Sequence, residues 1–153
     1  MHWTMWHIYG PGFDVADAEP ERIRNFLKAH EPALAKKAEK IKDEEGRTLH
    51  ELLHDAAISD SEFVDTLIDL DDEYGNVAPY IRCVMSEETG VRFDTPGTTE
   101  DGEDCVMFCP AMPWEYNEKE KPLTQDELFG LIQKYADELG IKFHPDLDLV
   151  YDG

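Results

Sequence analysis

Residues 48–73 read TLHELLHDAAISDSEFVDTLIDLDDE and contain two helix starts of the same kind. A hydroxyl residue followed three positions later by glutamate forms a capping box, which supplies hydrogen bonds to the free backbone groups of the first helical turn. Thr48 with Glu51 and Ser59 with Glu62 both fit this pattern. Each pair leads into apolar residues spaced three and four apart, so the stretch predicts two consecutive amphipathic helices.

Further helices are predicted on both sides of this stretch. Thr124 and Glu127 form a third capping box, and Gly140 is placed to end its helix. Segment 76–88 has apolar residues at helical spacing but is also rich in strand-forming residues, so helix is preferred and strand is the alternative. The predicted helices begin near Asp17, Pro32, Thr48, Ser59, Asn76 and Thr124.

Strands are predicted towards both ends of the chain. The aromatic segment 3–9 is bounded by a Gly-Pro-Gly turn, and apolar residues alternate over 147–151. Segments 91–94 and 105–109 look like a hairpin around the polar loop 95–104. Together these segments predict a single α+β domain over residues 1–153, in which a small mixed or antiparallel sheet of about four strands packs with five to six helices.

The composition excludes several functional classes. With 35 Asp and Glu against 14 Lys and Arg, the chain of 153 residues carries 21 net negative charges. Polyanions repel such a surface, so nucleic acid and anionic membranes are not expected as direct ligands. Residues 1–15 show neither the basic segment nor the apolar run of a signal peptide, so none is expected. No apolar run approaches membrane-spanning length, and three cysteines are too few for a disulfide framework. We therefore expect a cytoplasmic protein with reduced thiols.

The negative charge is concentrated in the later part of the chain. Residues 1–54 have a net charge of −2, whereas residues 55–153 have a net charge of −19. The predicted stripe of carboxylates consists of Glu62, Asp65, Asp69 and Asp72, with Glu73 beside them. Spacings of three and four residues place these side chains on one helix face, opposite Phe63 and Leu67. The stripe resembles the phosphates of a nucleic-acid strand and suits a basic partner, although a merely solvated face is the alternative.

An aromatic loop provides a candidate anchor for such a partner. Trp114 and Tyr116 lie in the proline-bounded segment 111–117, which is flanked by acidic residues. Aromatic residues inside a charged rim are typical of the centre of a protein interface. The alternative is that the two rings cover the edge of the sheet.

His50, Glu51 and His54 match the H-E-x-x-H motif of zinc hydrolases. In that motif two imidazoles one helical turn apart bind zinc, and the glutamate acts as general base towards a metal-bound water. Here Glu51 already serves the predicted capping box, and no downstream residue stands in the position of a third zinc ligand. We therefore expect no metal or other cofactor and no catalytic residues, with a hydrolase that uses His50 and His54 as the alternative.

Four segments resemble short acidic proteins of gut bacteria and their phages. They are residues 10–13, 87–93, 113–118 and 123–128. The small acidic proteins of phages include anti-CRISPR inhibitors, which imitate nucleic acid or block a nuclease groove. The resemblance implies an inhibitor without assigning a role to any residue. Combined with the charge, it predicts a non-enzymatic inhibitor or interaction protein that binds a basic partner surface, such as the nucleic-acid-binding groove of a CRISPR-type nuclease. A soluble adaptor with incidental acidity is another alternative.

Overall fold

The computed structural model describes residues 5–70, 77–96 and 104–152, and these residues form six α-helices and three β-strands. The helices are α1 (Pro20–Ala29), α2 (Ala35–Ala38), α3 (Leu49–His54), α4 (Asp60–Leu70), α5 (Ala78–Thr89) and α6 (Gln125–Leu139). The strands are β1 (Met5–Asp14), β2 (Cys105–Met107) and β3 (His144–Asp152), and short 3₁₀ turns cover Val15–Asp17, Glu31–Leu34 and Pro113–Glu115. The α+β class is confirmed.

The first strand lies in the middle of the sheet. The strand order is β2-β1-β3, and both pairings are antiparallel, with Ile8 opposite Leu149 and Phe13 opposite Val106. The segment 106–108 lies so close to β1 that only glycine fits at positions 10 and 12. A Cβ atom at Gly10 would collide with the carbonyl oxygen of Phe108, and one at Gly12 would collide with that of Val106. The turn signal that was expected to end this strand is therefore part of it.

The predicted hairpin between 91–94 and 105–109 forms only in part. Asp94 and Met107 exchange two backbone hydrogen bonds of 2.8 and 2.9 Å, but residues 91–93 are not a strand. Two backbone N–H groups of this segment donate to side chains instead of to another strand. Arg92 N–H donates to the Glu120 carboxylate at 2.8 Å, and Phe93 N–H donates to Ser86 Oγ at 3.2 Å. The described residues consequently contain three strands, one fewer than the roughly four expected.

All three predicted capping boxes mark real helix starts. Backbone N–H groups donate to Thr48 Oγ1 at 3.2 Å, to Ser59 Oγ at 3.2 Å and to Thr124 Oγ1 at 3.1 Å. Segment 78–89 is helical, which excludes the strand alternative, and Gly90 and Gly140 end α5 and α6 with φ angles of +75° and +71°.

The helix expected from Pro32 to Gly46 is broken into shorter pieces. A 3₁₀ turn and the four-residue α2 are followed by a tight loop in which Gly46 has a φ angle of +80°. The Asp43 carboxylate accepts hydrogen bonds from the backbone N–H groups of Glu45 and Arg47, at 3.1 and 2.7 Å. These local bonds offer the backbone an alternative to helix.

The hydrophobic core lies between the helices and one face of the sheet. Phe13, Val106 and Phe108 pack there with apolar residues of α1 and α3–α6, and a smaller cluster of Cys105, Met107 and Leu149 lies apart from it. Cys109 packs on the smaller cluster, as expected for a thiol that behaves as an apolar residue. Among the described residues no helix is long and apolar enough to cross a membrane.

Candidate functional site

Arg24 fixes the positions of α3 and α4. Its guanidinium is buried and donates to the carbonyl oxygens of Leu53, Asp55 and Ile58, at 3.1, 2.7 and 2.6 Å. It also lies 3.2 Å from the Asp60 carboxylate, at the start of α4. One cation from α1 thus satisfies the last carbonyls of α3 and joins the two helices that carry the predicted site residues.

The three residues of the acidic stripe that the structure describes lie on an exposed face of α4. Glu62, Asp65 and Asp69 are exposed along one face, whereas Phe63 and Leu67 are fully buried on the other. Among the residues that the structure describes, no basic side chain forms an ion pair with these three carboxylates. The remaining two members predicted for this surface, Asp72 and Glu73, lie outside the described residues.

A second acidic segment extends the surface beside α4. A cleft of about 540 Å³ is lined by Asp69 and Thr66 of α4 and by the loop 42–47, which includes Asp43, Glu44 and Glu45. The Arg47 guanidinium lies 2.7 Å from Asp43, 3.5 Å from Glu45 and 3.7 Å from Asp55. Lys42 also lines the cleft, so its four acidic and two basic residues leave a net charge of −2.

Trp114 and Tyr116 have different environments. Trp114 is 76% exposed on the 3₁₀ turn, whereas Tyr116 is half-buried, stacks on Phe108 and accepts a hydrogen bond of 3.0 Å from Ala111 N–H. A reciprocal pair of hydrogen bonds joins Met112 and Glu115 at 2.9 and 3.1 Å, which closes the loop. Tyr116 thus supports the loop, and Trp114 is the ring that it presents to solvent.

The aromatic loop and the acidic stripe contact different parts of the fold. Tyr116 forms a wall of an apolar cleft of about 360 Å³ between β1, the segment after β2 and the start of α6, together with Tyr9, Phe108 and Phe129. α4 instead packs chiefly on α1. The loop and the stripe are therefore carried by different parts of the fold.

The two histidines of the H-E-x-x-H motif contact an acidic residue, Glu31, that the sequence pattern does not indicate. His50 and His54 lie one turn apart on α3, and both contact the carboxylate of Glu31. His54 Nε2 is 2.9 Å from Glu31 Oε2, and His50 Nδ1 contacts Glu31 Oε1. The three donor atoms lie within 4.8 Å of one another. Burial favours a raised pKa for the Glu31 carboxyl, but hydrogen bonds from the two histidines outweigh it and hold the pKa below its ordinary value.

Glu51 does not face this cluster as a general base would. Its carboxylate accepts a hydrogen bond of 3.3 Å from Thr48 Oγ1, so it is engaged in the capping box. His50 and His54 are 69% and 45% exposed, on a helix of only six residues. The two histidines are therefore open to solvent and the Glu51 carboxylate is engaged with Thr48, whereas catalytic zinc sites are screened from solvent and keep their glutamate free to act as a base.

No sequence pattern indicated that Glu31 contacts the histidine pair or that Arg24 holds α3 and α4. Glu31 lies nineteen positions before His50 in a chain rich in glutamate, and Arg24 follows the helical pattern of α1 like any other polar residue. Only their tertiary positions distinguish them.

Comparison of the chain with protein-family models, with curated proteins and with solved structures found no match.

Proposed function

We propose that this is a non-enzymatic interaction protein that binds a basic, nucleic-acid-binding surface of a partner protein. The supporting observation is the unpaired acidic face of α4. Glu62, Asp65 and Asp69 are exposed together, and within the described part of the chain they have no cationic partner. Side chains at these spacings repel one another, so the arrangement costs helix stability that a basic partner would restore.

The spacing of the carboxylates suits a site that normally holds phosphates. Neighbouring residues of the stripe are about 4.5–6 Å apart along the helix axis. A groove that binds nucleic acid presents cations along a strand and releases counterions when it is filled. A row of carboxylates, with the exposed Glu44 in the neighbouring cleft beside it, would compete for the same cations.

Trp114 supplies the apolar part of the proposed interface. A large ring on a loop closed by hydrogen bonds loses little conformational freedom on binding, as is typical of residues that dominate interface energetics. Because the ring lies apart from the stripe, we propose that it forms a second contact rather than the centre of the acidic surface.

The test compares two variants of equal charge. Glu62→Gln with Asp65→Asn and Asp69→Asn removes the three charges of the stripe that the structure describes, and Glu87→Gln with Glu118→Gln and Asp126→Asn removes the same charge from exposed positions elsewhere. Each chain is immobilised and exposed to lysate of the source organism, and retained proteins are identified by mass spectrometry. We expect the wild type and the control variant to retain a nucleic-acid-binding protein that salt or a DNA duplex releases, and the stripe variant to lose it.

Two outcomes would contradict the proposal. Equal loss in both variants would mean that only the total charge matters. Retention that neither salt nor DNA affects would favour the adaptor alternative, in which the acidity is incidental.

A further inference from the structure

We propose that Glu31, His50 and His54 form a binding site for a divalent transition-metal ion of the zinc type. The site joins the turn after α1 to α3 and is independent of the acidic stripe. Two imidazole nitrogens and one carboxylate oxygen are a common set of three protein ligands for zinc, which leaves one position open to water or to another molecule.

The three donor atoms lie within 4.8 Å of one another, so the pair that is farthest apart has to approach by at most about 1.4 Å to hold an ion. Ligands about 2.1 Å from a tetrahedral zinc ion are roughly 3.4 Å from one another. The distance between Glu31 Oε2 and His54 Nε2 is 2.9 Å, so this pair has to separate by less than 1 Å. Shifts of this size are open to the two histidine side chains because both are exposed. The Glu31 side chain, which is 27% exposed, has less room to move.

The backbone around the ligands is well anchored. The opposite face of α3 is buried through Leu49, Leu52 and Leu53, and Arg24 holds its last carbonyl groups. Next to Glu31, His30 Nδ1 lies 2.6 Å from a carboxylate oxygen of Glu88. The three ligands thus come from two segments that the fold already holds in place, so binding does not require a segment to become ordered.

The ligand set favours one class of metal. Imidazole nitrogens suit zinc, copper and nickel, whereas magnesium and calcium prefer sites made only of oxygen atoms. Because Glu51 is engaged with Thr48, the metal is expected to link the two segments and to raise stability, not to activate water for hydrolysis.

The experiment measures zinc binding to the full chain without an affinity tag. The protein is first treated with a chelator to remove bound metal, and the chelator is then removed. Isothermal titration calorimetry gives the Kd and stoichiometry, and thermal unfolding gives the stabilisation. We expect one zinc ion per chain and, with zinc at about 100 times the Kd, a rise in the unfolding midpoint of about 6–10 °C. Magnesium at the same concentration should leave the midpoint unchanged.

Variants separate this site from general binding to an acidic surface. Glu31→Gln and His54→Ala each remove one ligand and should weaken zinc binding at least about tenfold. His144→Ala removes a histidine on β3 and should bind zinc as the wild type does. His50→Gln replaces the most exposed ligand, so it tests the site without disturbing the fold; circular dichroism checks that each variant is folded.

Three results would overturn the proposal. The wild type could fail to bind zinc, or Glu31→Gln could bind it as tightly as the wild type, which would reduce the site to an exposed histidine pair. A loss in His144→Ala as large as that in His54→Ala would place the zinc elsewhere.

Discussion

Arg24 is a single side chain on which the geometry of two surface features depends. It is buried and donates hydrogen bonds to carbonyl groups at the end of α3, the helix that carries the histidine pair. It also donates to the carboxylate at the start of α4, the helix that carries the acidic stripe. The Phe63 ring, 5.2 Å from the guanidinium carbon, covers it from one side. No apolar residue could meet these oxygen atoms without leaving them unpaired.

Arg24→Met is therefore expected to destabilise the fold by about 3–5 kcal/mol, because several buried acceptors lose their donor together. Urea unfolding measures the change. Arg22→Met alters an exposed arginine on the same helix and should shift stability by less than about 0.5 kcal/mol. Similar losses in the two variants would show that Arg24 contributes only its charge.

Glu120 is a second buried charge, with its side chain only 2% exposed. It accepts hydrogen bonds from Arg92 Nη2 at 2.8 Å and from the backbone N–H of Asn117 at 2.9 Å. Burial by itself would raise the pKa of this carboxyl, but these bonds and the Arg92 charge outweigh burial and lower the pKa. Its ionised form is thus favoured by folding.

The lowered pKa of Glu120 fixes the direction of a pH effect. The stabilisation is complete above the pKa of the unfolded chain, ordinarily 4.5, and is lost as the pH falls through the lower folded value. Glu120→Gln should cost about 1–3 kcal/mol at pH 7 and clearly less at about pH 3. Urea unfolding at both pH values checks this, with Glu118→Gln as an exposed control. A cost that does not change with pH would contradict the assignment.

At the scale of elements, helix starts that depend on neighbouring residues could be predicted from the sequence, whereas structure that depends on distant residues could not. Hydroxyl caps such as Thr48 and Thr124 act within one turn, so the sequence pattern located the starts of α3, α4 and α6 correctly. Residues 91–93 have a strand-like composition but do not form a strand. Their backbone N–H groups donate instead to the side chains of Glu120 and Ser86, which lie elsewhere in the chain. The 32–46 helix was wrong because Asp43 and Gly46 form a tight loop.

α4 carries a local cost that mutation should relieve. Asp65 lies three and four residues from Glu62 and Asp69, and like charges at these spacings oppose the helix. Asp65→Asn should raise the free energy of unfolding by about 0.3 kcal/mol at low salt, and by less at high salt. Asp126→Asn, at the start of α6, is the comparison and should give no gain, since an acid there is favourable. No gain in Asp65→Asn would mean that the stripe is not strained.

At the scale of the whole molecule, the candidate site was only half predictable. The stripe could be found because its members are close in the sequence, and His50 and His54 because they form a motif. Glu31 could not, since its position near α3 depends on how α1 packs against α3 and α4. The stacking of Tyr116 on Phe108 could not be read from the sequence either, because the two residues are brought together by the fold.

The net charge of −21 also predicts a response of the whole fold to salt. Folding brings the carboxylates together, so their mutual repulsion opposes the compact state, and salt screens it. The free energy of unfolding should rise with sodium chloride, and the variant that lacks the charges of Glu62, Asp65 and Asp69 should gain less. Urea unfolding over a salt series measures both. A fall in stability with salt would show that attractive pairs, such as Arg92 with Glu120, dominate instead.

The central position of β1 has a consequence for how the chain acquires its structure during synthesis. Ile8 finds its partner at Leu149, so the sheet cannot close until nearly the whole of this sequence has left the ribosome. The helices, whose hydrogen bonds are local, are free to form earlier. Until then the first strand remains unpaired on one edge, and we expect this interval to be the period in which the nascent chain most needs protection from aggregation.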